Sequence, residues 1–416
     1  MSDQEDLGKR LRQARQAVHL SQDQVAEALG KSRSFVALVE TGRRPIDSIA
    51  LSALALLYGR PMDSFFHSQL QQEDALTVLF RTAPSSLELG SGKTGEQIRA
   101  CANICRIMTD LEGLLGVGRS AIDPLCYDIP APRAIGEAIR QGESIAEQER
   151  ARLKLGTAPV RDMGRLLESQ GVRFHSTPLP AGASGVFLKD RWLGLAILVN
   201  SKETGSRRRF SAAHEYCHAL LDHHEVSAEV SGPSRSSELP EVRANAFAAA
   251  LLMPEEGVRD HLDRFFKAGP SRARLGAAYD GEMPVTGTYP ASAERALQAI
   301  EVLQLSVTFG VSAPSALYRL QNLKIITEEV RAMIEKQCKK TRWFPSENES
   351  VQDSGVGLRT ACISLALEAY QREAISRRKL LEIAEEAGVS VEDLGLTGRK
   401  GTDGSARTSG ATRRGR

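Results

Sequence analysis

Two histidines and a glutamate stand together at His214-Glu215-Tyr216-Cys217-His218, the most chemically informative spacing in the chain. Residues four apart on a helix share one face, so both imidazoles can reach a single ion while Glu215 sits beside them. With zinc held there, the carboxylate can take a proton from a water whose pKa the ion has lowered to near neutrality, which is the chemistry of metal-assisted hydrolysis. A third protein ligand is needed, and two candidates compete. His224 lies six residues beyond His218, roughly 9 Å of rise along a straight helix and too far for a shared ion; Leu221 stands where a glycine would have to bend the chain. Glu241 is the better choice. It opens the segment EVRANAFAAALLMP, whose Ala-rich face can pack closely on the histidine helix, and Asn245, one turn later, is placed to hydrogen-bond a ligand. Two histidines, one glutamate and one open position form the pattern of a catalytic rather than a structural zinc.

A second constellation lies near the N-terminus, in LSQDQVAEALGKSRSFVALVETGRR. Ser21 is an N-cap before Gln22 to Leu29, Gly30 permits a tight turn, and Ser32 caps a second helix running to Glu40. Two short helices so joined make a helix-turn-helix unit. Val25, Ala26, Leu29, Phe35, Val36 and Val39 supply the apolar contacts that fix the crossing. Ser32, Arg33, Ser34 and Ala37 face outward, and Arg43 and Arg44 follow, which is the arrangement for double-stranded DNA.

The SQ opening, the S-R-S-F-V start of the second helix and the E-x-G-R-R-x-P exit resemble the XRE/Cro family of helix-turn-helix domains over residues 7 to 66. The resemblance implies five helices, with Gln22 near a phosphate, Arg33 and Ser34 near base edges and Arg43 near the backbone. Paired half-sites, common in this family, would call for a homodimer. In place of the usual G-V-S turn the sequence has Gly30-Lys31-Ser32.

R-R-F-S-A-A-H-E-Y-C-H-A-L-L, followed by E-V-R-A-N-A-F-A-A-A-L-L-M-P, resembles the ImmA/IrrE family of metallopeptidases, from about residue 160 to 335. This resemblance implies that His214, His218 and Glu241 bind Zn2+ and that Glu215 is the general base. It also implies a second helical element after the core. The F-x-V-S-x-x-A-x-x-x-R-L pattern of residues 303 to 326 meets it with Phe309, Val311, Ser312, Ser315, Ala316, Arg319 and Leu320. Family members are implicated in cutting XRE-type repressors, so a protein substrate of that kind is expected.

The elements that must position these groups divide the 416 residues into a multi-domain, mainly α chain with a small α+β zincin-like peptidase core. An all-α helix-turn-helix domain is expected over 1–66, a helical linker over 67–158 and the metallopeptidase core over 159–290. A helical C-terminal region follows over 291–396, then a disordered basic tail over 397–416. In the core, a helix over 161–170 precedes a small antiparallel sheet built from VRF, SGVFLKD and RWLGLAILVN, with a turn at Lys189-Asp190. Ser211 is placed to cap the histidine helix, and the strand Gly194 to Val199 could align substrate main chain. A Gly/Pro/Ser-rich mobile loop is expected at 268–290.

Charge is nearly balanced, 54 Lys and Arg against 52 Asp and Glu, so a DNA site must be a local patch. No stretch approaches the roughly 18 apolar residues of a membrane helix, and six scattered cysteines do not make a disulfide scaffold. A cytoplasmic protein with no membrane partner is expected. GSGKTG at 90 to 95 lacks the first glycine of a phosphate loop, since residue 87 is leucine. Cys101, Cys105 and Cys217 suit core packing, and Arg207 to Arg209 suit a solvated charge run. Three functions compete: a zinc-dependent regulatory endopeptidase with its own DNA-binding head, cleaving a repressor to control stress or mobile-element genes; a DNA-binding regulator whose peptidase domain is a non-catalytic sensor; and a toxin-antitoxin or phage-defence regulator.

Overall fold

A computed structural model describes residues 3–18, 20–58, 62–66, 75–82, 89, 92–117, 127–190, 192–221, 227–232, 237–267, 297–340, 357–390 and 394. The expected loop at 268–290, the basic tail and His224 lie outside the described residues. Helices α1 (Asp3–Ala17), α2 (Gln22–Ala28), α3 (Arg33–Glu40) and α4 (Ser48–Tyr58) form the N-terminal unit, closed by a single 3-10 turn at Met62–Phe65 where the resemblance implies a fifth helix. Ser21 caps α2 through a reciprocal box with Gln24, and the Ser32 hydroxyl accepts from the Phe35 amide at 3.2 Å. Val25, Ala26, Phe35, Val36 and Val39 are buried as their spacing predicts.

Three helices, α5 (Ala75–Thr82), α6 (Gly92–Leu115) and α7 (Ile135–Arg152), occupy the stretch expected to be a linker. They are integral to the packing. α5 and α6 lie on one face of the sheet, and α7 runs along α10. The approach of α7 to α10 is close enough that a Cβ on Gly142 would stand 2.8 Å from the Phe247 amide nitrogen. The low side-chain volume of the Ala-rich segment thus serves α7 as well as the histidine helix.

After α8 (Met163–Ser169) come β1 (Arg173–Thr177), β2 (Gly185–Asp190), β3 (Gly194–Asn200), α9 (Gly205–Leu221), β4 (Ser227–Ser231), α10 (Leu239–Leu252) and α11 (Glu255–Lys267). The sheet has four strands in the order β1-β3-β2-β4, with β1 parallel to β3 and the other pairs antiparallel. It is therefore mixed, not purely antiparallel, because α8 leads into β1 from the same end at which β3 starts. Two expectations are corrected. Lys189 and Asp190 belong to β2, and the turn follows them: Asp190 Oδ1 accepts from the Trp192 and Leu193 amides at 2.8 and 2.7 Å. β3 is an interior strand, hydrogen-bonded on both sides, so it offers no edge to a substrate; β4 pairs with β2 alone among the described residues.

Alternation along the strands divides two cores. Val186, Leu188, Ala196, Leu198 and Val230 pack with α1 to α6 and with α15 (Leu358–Gln371). Phe174, Phe187, Leu195, Ile197 and Val199 pack with α8 to α11 and with α12 (Ala299–Phe309), α13 (Ala313–Asn322) and α14 (Glu328–Lys340). The last helix is α16 (Arg377–Glu386). α12 ends at Gly310 with φ of 64°, and Ser312 caps α13, so the F-x-V-S pattern marks a real helix-turn-helix corner. Buried guanidinium groups tie these layers together by donating to carbonyls at the C-terminal ends of α10 and α12, where partial negative charge collects, and to carbonyls of the loop between α7 and α8. Arg150 donates to Leu251, Gly156 and Ala158, Arg319 to Met253, and Arg209 to Gly310 and Arg161. Among the described residues no single helix is long and apolar enough to cross a membrane.

Candidate metal centre

α9 begins two turns before the histidines, so Ser211 is an interior residue, not the cap; its hydroxyl donates to Glu203 at 3.3 Å. The arginines preceding it are good helix formers and carry the helix back to Gly205. His214, Glu215 and His218 are all buried on α9. Glu241 is buried in the first turn of α10, where Pro240 starts the helix and the peptide dipoles favour a carboxylate.

The packing of α9 against α10 brings His214, His218 and Glu241 together, all donor atoms lying within 4.8 Å of one another. His214 Nε2 is 3.3 Å from His218 Nε2 and 3.2 Å from Glu241 Oε2, and His218 Nε2 is 3.6 Å from Glu241 Oε1. Zinc bonds of 2.0–2.1 Å at tetrahedral angles separate ligands by about 3.3–3.4 Å. The two imidazole nitrogens are at that separation, and a different oxygen of Glu241 approaches each of them, so the three groups could hold a zinc-sized ion. His214 Nδ1 lies 3.0 Å from Asn245 Oδ1. A carbonyl oxygen can only accept, so Nδ1 carries the proton and Nε2 keeps its lone pair for a cation.

Burial disfavours charge on His214, yet the hydrogen bond to Glu241 and the nearby Glu215 carboxylate hold its pKa above the ordinary imidazole value. The centre has an excess of negative potential, which suits a divalent cation. The Glu215 carboxylate lies over Gly185 at the start of β2, where a Cβ would stand 2.8 Å from Glu215 Cγ. Tyr216, between the ligands, donates to the fully buried Glu149 at 2.8 Å; Tyr127 and Arg152 bind the same carboxylate at 2.7 and 2.8 Å. Cys217 is buried in the core that packs against the sheet.

A cleft of about 330 Å3 opens on the centre, lined by Ser184, Arg207, Phe210, Ser211, Ser231 and Gly232 besides the polar residues already named. None of these six stood among the candidate site residues. Arg207 and Ser211 were within reach of sequence reasoning, since they precede His214 by seven and three residues and so share its face. Gly185 carried a weaker signal, an isolated glycine at the head of an apolar strand.

In the N-terminal unit, Ser32, Arg33, Ser34, Arg43 and Arg44 are exposed. Gln22 is half-buried and donates to Glu40 at 2.8 Å, so its amide has an intramolecular partner. Arg15 donates to both oxygens of Glu40, at 2.6 and 3.1 Å. Lys31, at the atypical turn position, stays exposed and stands 6.0 Å from the Phe35 ring centroid, while Arg44 stacks at 4.7 Å.

Fold and site together define the class: a helix-turn-helix head joined to an α+β domain with a His-His-Glu group that could hold a metal ion. Comparison with known proteins carries this further. Residues 167–268 match the IrrE N-terminal-like domain family, and residues 6–64 match a helix-turn-helix domain family, so the chain joins an IrrE-like domain to a helix-turn-helix domain. The radiation response metalloprotease IrrE of Deinococcus radiodurans is 32% identical over 151 residues, which is 33% of this chain and 43% of that protein. The protein of the same name from Deinococcus deserti is 39% identical over 107 residues, 24% of this chain and 36% of its own length. The chain therefore spans less than half the length of each of these relatives.

Proposed function

We propose that the protein is a zinc-dependent regulatory endopeptidase that carries its own DNA-binding head and cleaves a transcriptional repressor or a related protein. The observation that carries this is the convergence of His214, His218 and Glu241, one ligand atom of each lying within 4.8 Å of the others, with Glu215 buried beside them. Zinc bound there supplies Lewis acidity, which polarises a carbonyl and acidifies water.

The chain's own residues do the rest. Asn245 sets the tautomer and orientation of His214, and Glu241 brings negative charge from a separate helix. Glu215 takes a proton from the attacking water and delivers it to the leaving amine. Gly185 gives that carboxylate room, and the Tyr216–Glu149 bond keeps α9 in register with α7. Substrate main chain lies along β4, an edge strand among the described residues, where Ser231 at its end and the following Gly232 border the cleft. Ser32, Arg33, Ser34, Arg43 and Arg44 face double-stranded DNA, and a homodimer reads paired half-sites. The name shared by the relatives, radiation response metalloprotease, is consistent with proteolysis coupled to stress genes.

The test is metal content and cleavage on one preparation purified without chelators. About one zinc per chain is expected, with cleavage of a helix-turn-helix repressor by the wild type and none by Glu215→Gln. A wild type that takes up no zinc when supplied would leave a DNA-binding regulator with a non-catalytic domain.

A further inference from the structure

Three adjacent arginines on α9 have three different surroundings. Arg209 is buried against the carbonyls of Gly310 and Arg161, and Arg208 donates to the Glu203 carbonyl at 2.8 Å. Arg207 alone enters the cleft, with about half of its side chain exposed. Its Nη2 donates to Ser184 Oγ at 3.3 Å, and its Nε lies 3.7 Å from Glu203 Oε1. Those contacts hold the guanidinium in place and leave Nη1 without a partner among the described residues. Ser231 is 4% exposed, lines the same cleft, and holds a buried hydroxyl with no hydrogen-bond partner among the described residues. A buried hydroxyl without a partner is destabilising, and a ligand that supplies the missing bond removes that cost.

We propose that Arg207, Ser231 and Ser184 form a carboxylate-binding recess that selects an acidic side chain in the substrate, about three residues from the bond that is cut. This rests on the peptidase reading above. The register follows from geometry. Arg207 precedes His214 by seven residues, two turns and about 10.5 Å of helix rise, and an extended peptide covers that distance in about three residues at 3.3–3.4 Å each. The donor set decides the chemistry: a planar guanidinium edge and a hydroxyl match the two oxygens of a carboxylate, whereas a basic or apolar group would leave both unsatisfied. Glu203, which is not among the residues lining the cleft, holds Arg207 Nε through Oε1 and accepts from Ser211 through Oε2, so both of its oxygens are engaged.

The experiment uses the full-length chain supplied with zinc and fluorescein-labelled decapeptides, amidated at the C-terminus, in which Glu, Gln or Lys stands at each position in turn. Cleavage is followed with the wild type and binding by anisotropy with Glu215→Gln. Glu three residues from the cut is expected to improve KM about tenfold over Gln, the scale of one charge-assisted hydrogen bond, with kcat little changed. The preference should vanish in Arg207→Gln and turn toward Lys in Arg207→Glu, both exposed substitutions that leave the core intact. Peptides bound or cut without preference for Glu would overturn the recess, as would a preference that survives Arg207→Gln. A preference restored only by a free C-terminus would assign the recess to a terminal carboxylate and overturn the side-chain assignment. Failure of the wild type to cut any peptide would remove the peptidase reading, while the anisotropy arm would still decide whether the recess binds a carboxylate.

Discussion

Gly185 and Glu215 are in contact across the boundary between sheet and helix: a methyl group at position 185 would stand 2.8 Å from Cγ and 2.9 Å from Cδ of the glutamate. No other residue leaves the carboxylate where it is. Gly185→Ala is expected to keep zinc and fold normally, since the new methyl pushes only one side chain, yet to lower kcat by about 100-fold, the low end of a general base's contribution. Zinc content and turnover on the same sample check this, and unaltered turnover would remove Glu215 from the proton-transfer role.

Asn245 lines the cleft and holds His214 through Nδ1, at 3.0 Å. Asn245→Ala should weaken zinc binding by about 10- to 100-fold without abolishing it. Glu241→Ala, which removes a ligand, should abolish it. Competition with a chromophoric chelator separates the two outcomes.

Glu149 is fully buried among Arg152, Tyr127 and Tyr216. Burial pushes its pKa up, but the bonds from Arg152 and the two phenols outweigh it and hold the carboxyl below the usual 4.5. A carboxyl with a depressed folded pKa contributes stability above its unfolded value and loses that contribution as pH falls through the folded one. Glu149→Gln should therefore cost about 2 kcal/mol at pH 7, the scale of hydrogen bonds to a charged group. The gap to wild type should close in acid, below the ordinary carboxylate range, and urea denaturation at several pH values reads this directly.

Glu40 sits at the centre of the N-terminal unit, 4% exposed, and accepts from Arg15 and Gln22. Glu40→Ala strands a largely buried guanidinium and should destabilise this unit by about 3 kcal/mol. Calorimetry of the full chain would register it as an earlier transition, with Glu40→Gln milder.

Exposed Arg33 and Arg43 should differ in how they act on DNA. With an operator selected in vitro, Arg43→Ala is expected to reduce the slope of log affinity against log salt by about 0.9. Arg33→Ala should relax base preference by about 1–3 kcal/mol. Equal effects of both on the salt slope alone would place Arg33 on the phosphates.

The sequence by itself determined whatever depends on neighbours within one helix or turn. The four-residue interval puts His214 and His218 on one face because a helix turns every 3.6 residues. Ser21 and Ser32 announce helix starts because a hydroxyl satisfies an amide with no helical partner. The candidacy of Glu241 rested on a further inference, that an Ala-rich helix can approach closely, and the structure brings that carboxylate to the histidines. Only the tertiary structure decided what depends on which elements meet. Strand order was invisible because pairing joins elements distant in sequence: β3 (GLAILVN) reads as the apolar run of an interior strand, but β4 (SAEVS) alternates polar and apolar residues over only five positions and does not signal that it pairs with β2. The three arginines before the histidines are identical in type and adjacent in sequence. At 100° per residue their side chains diverge to a carbonyl cluster, a loop and the cleft, and only the surrounding fold tells them apart.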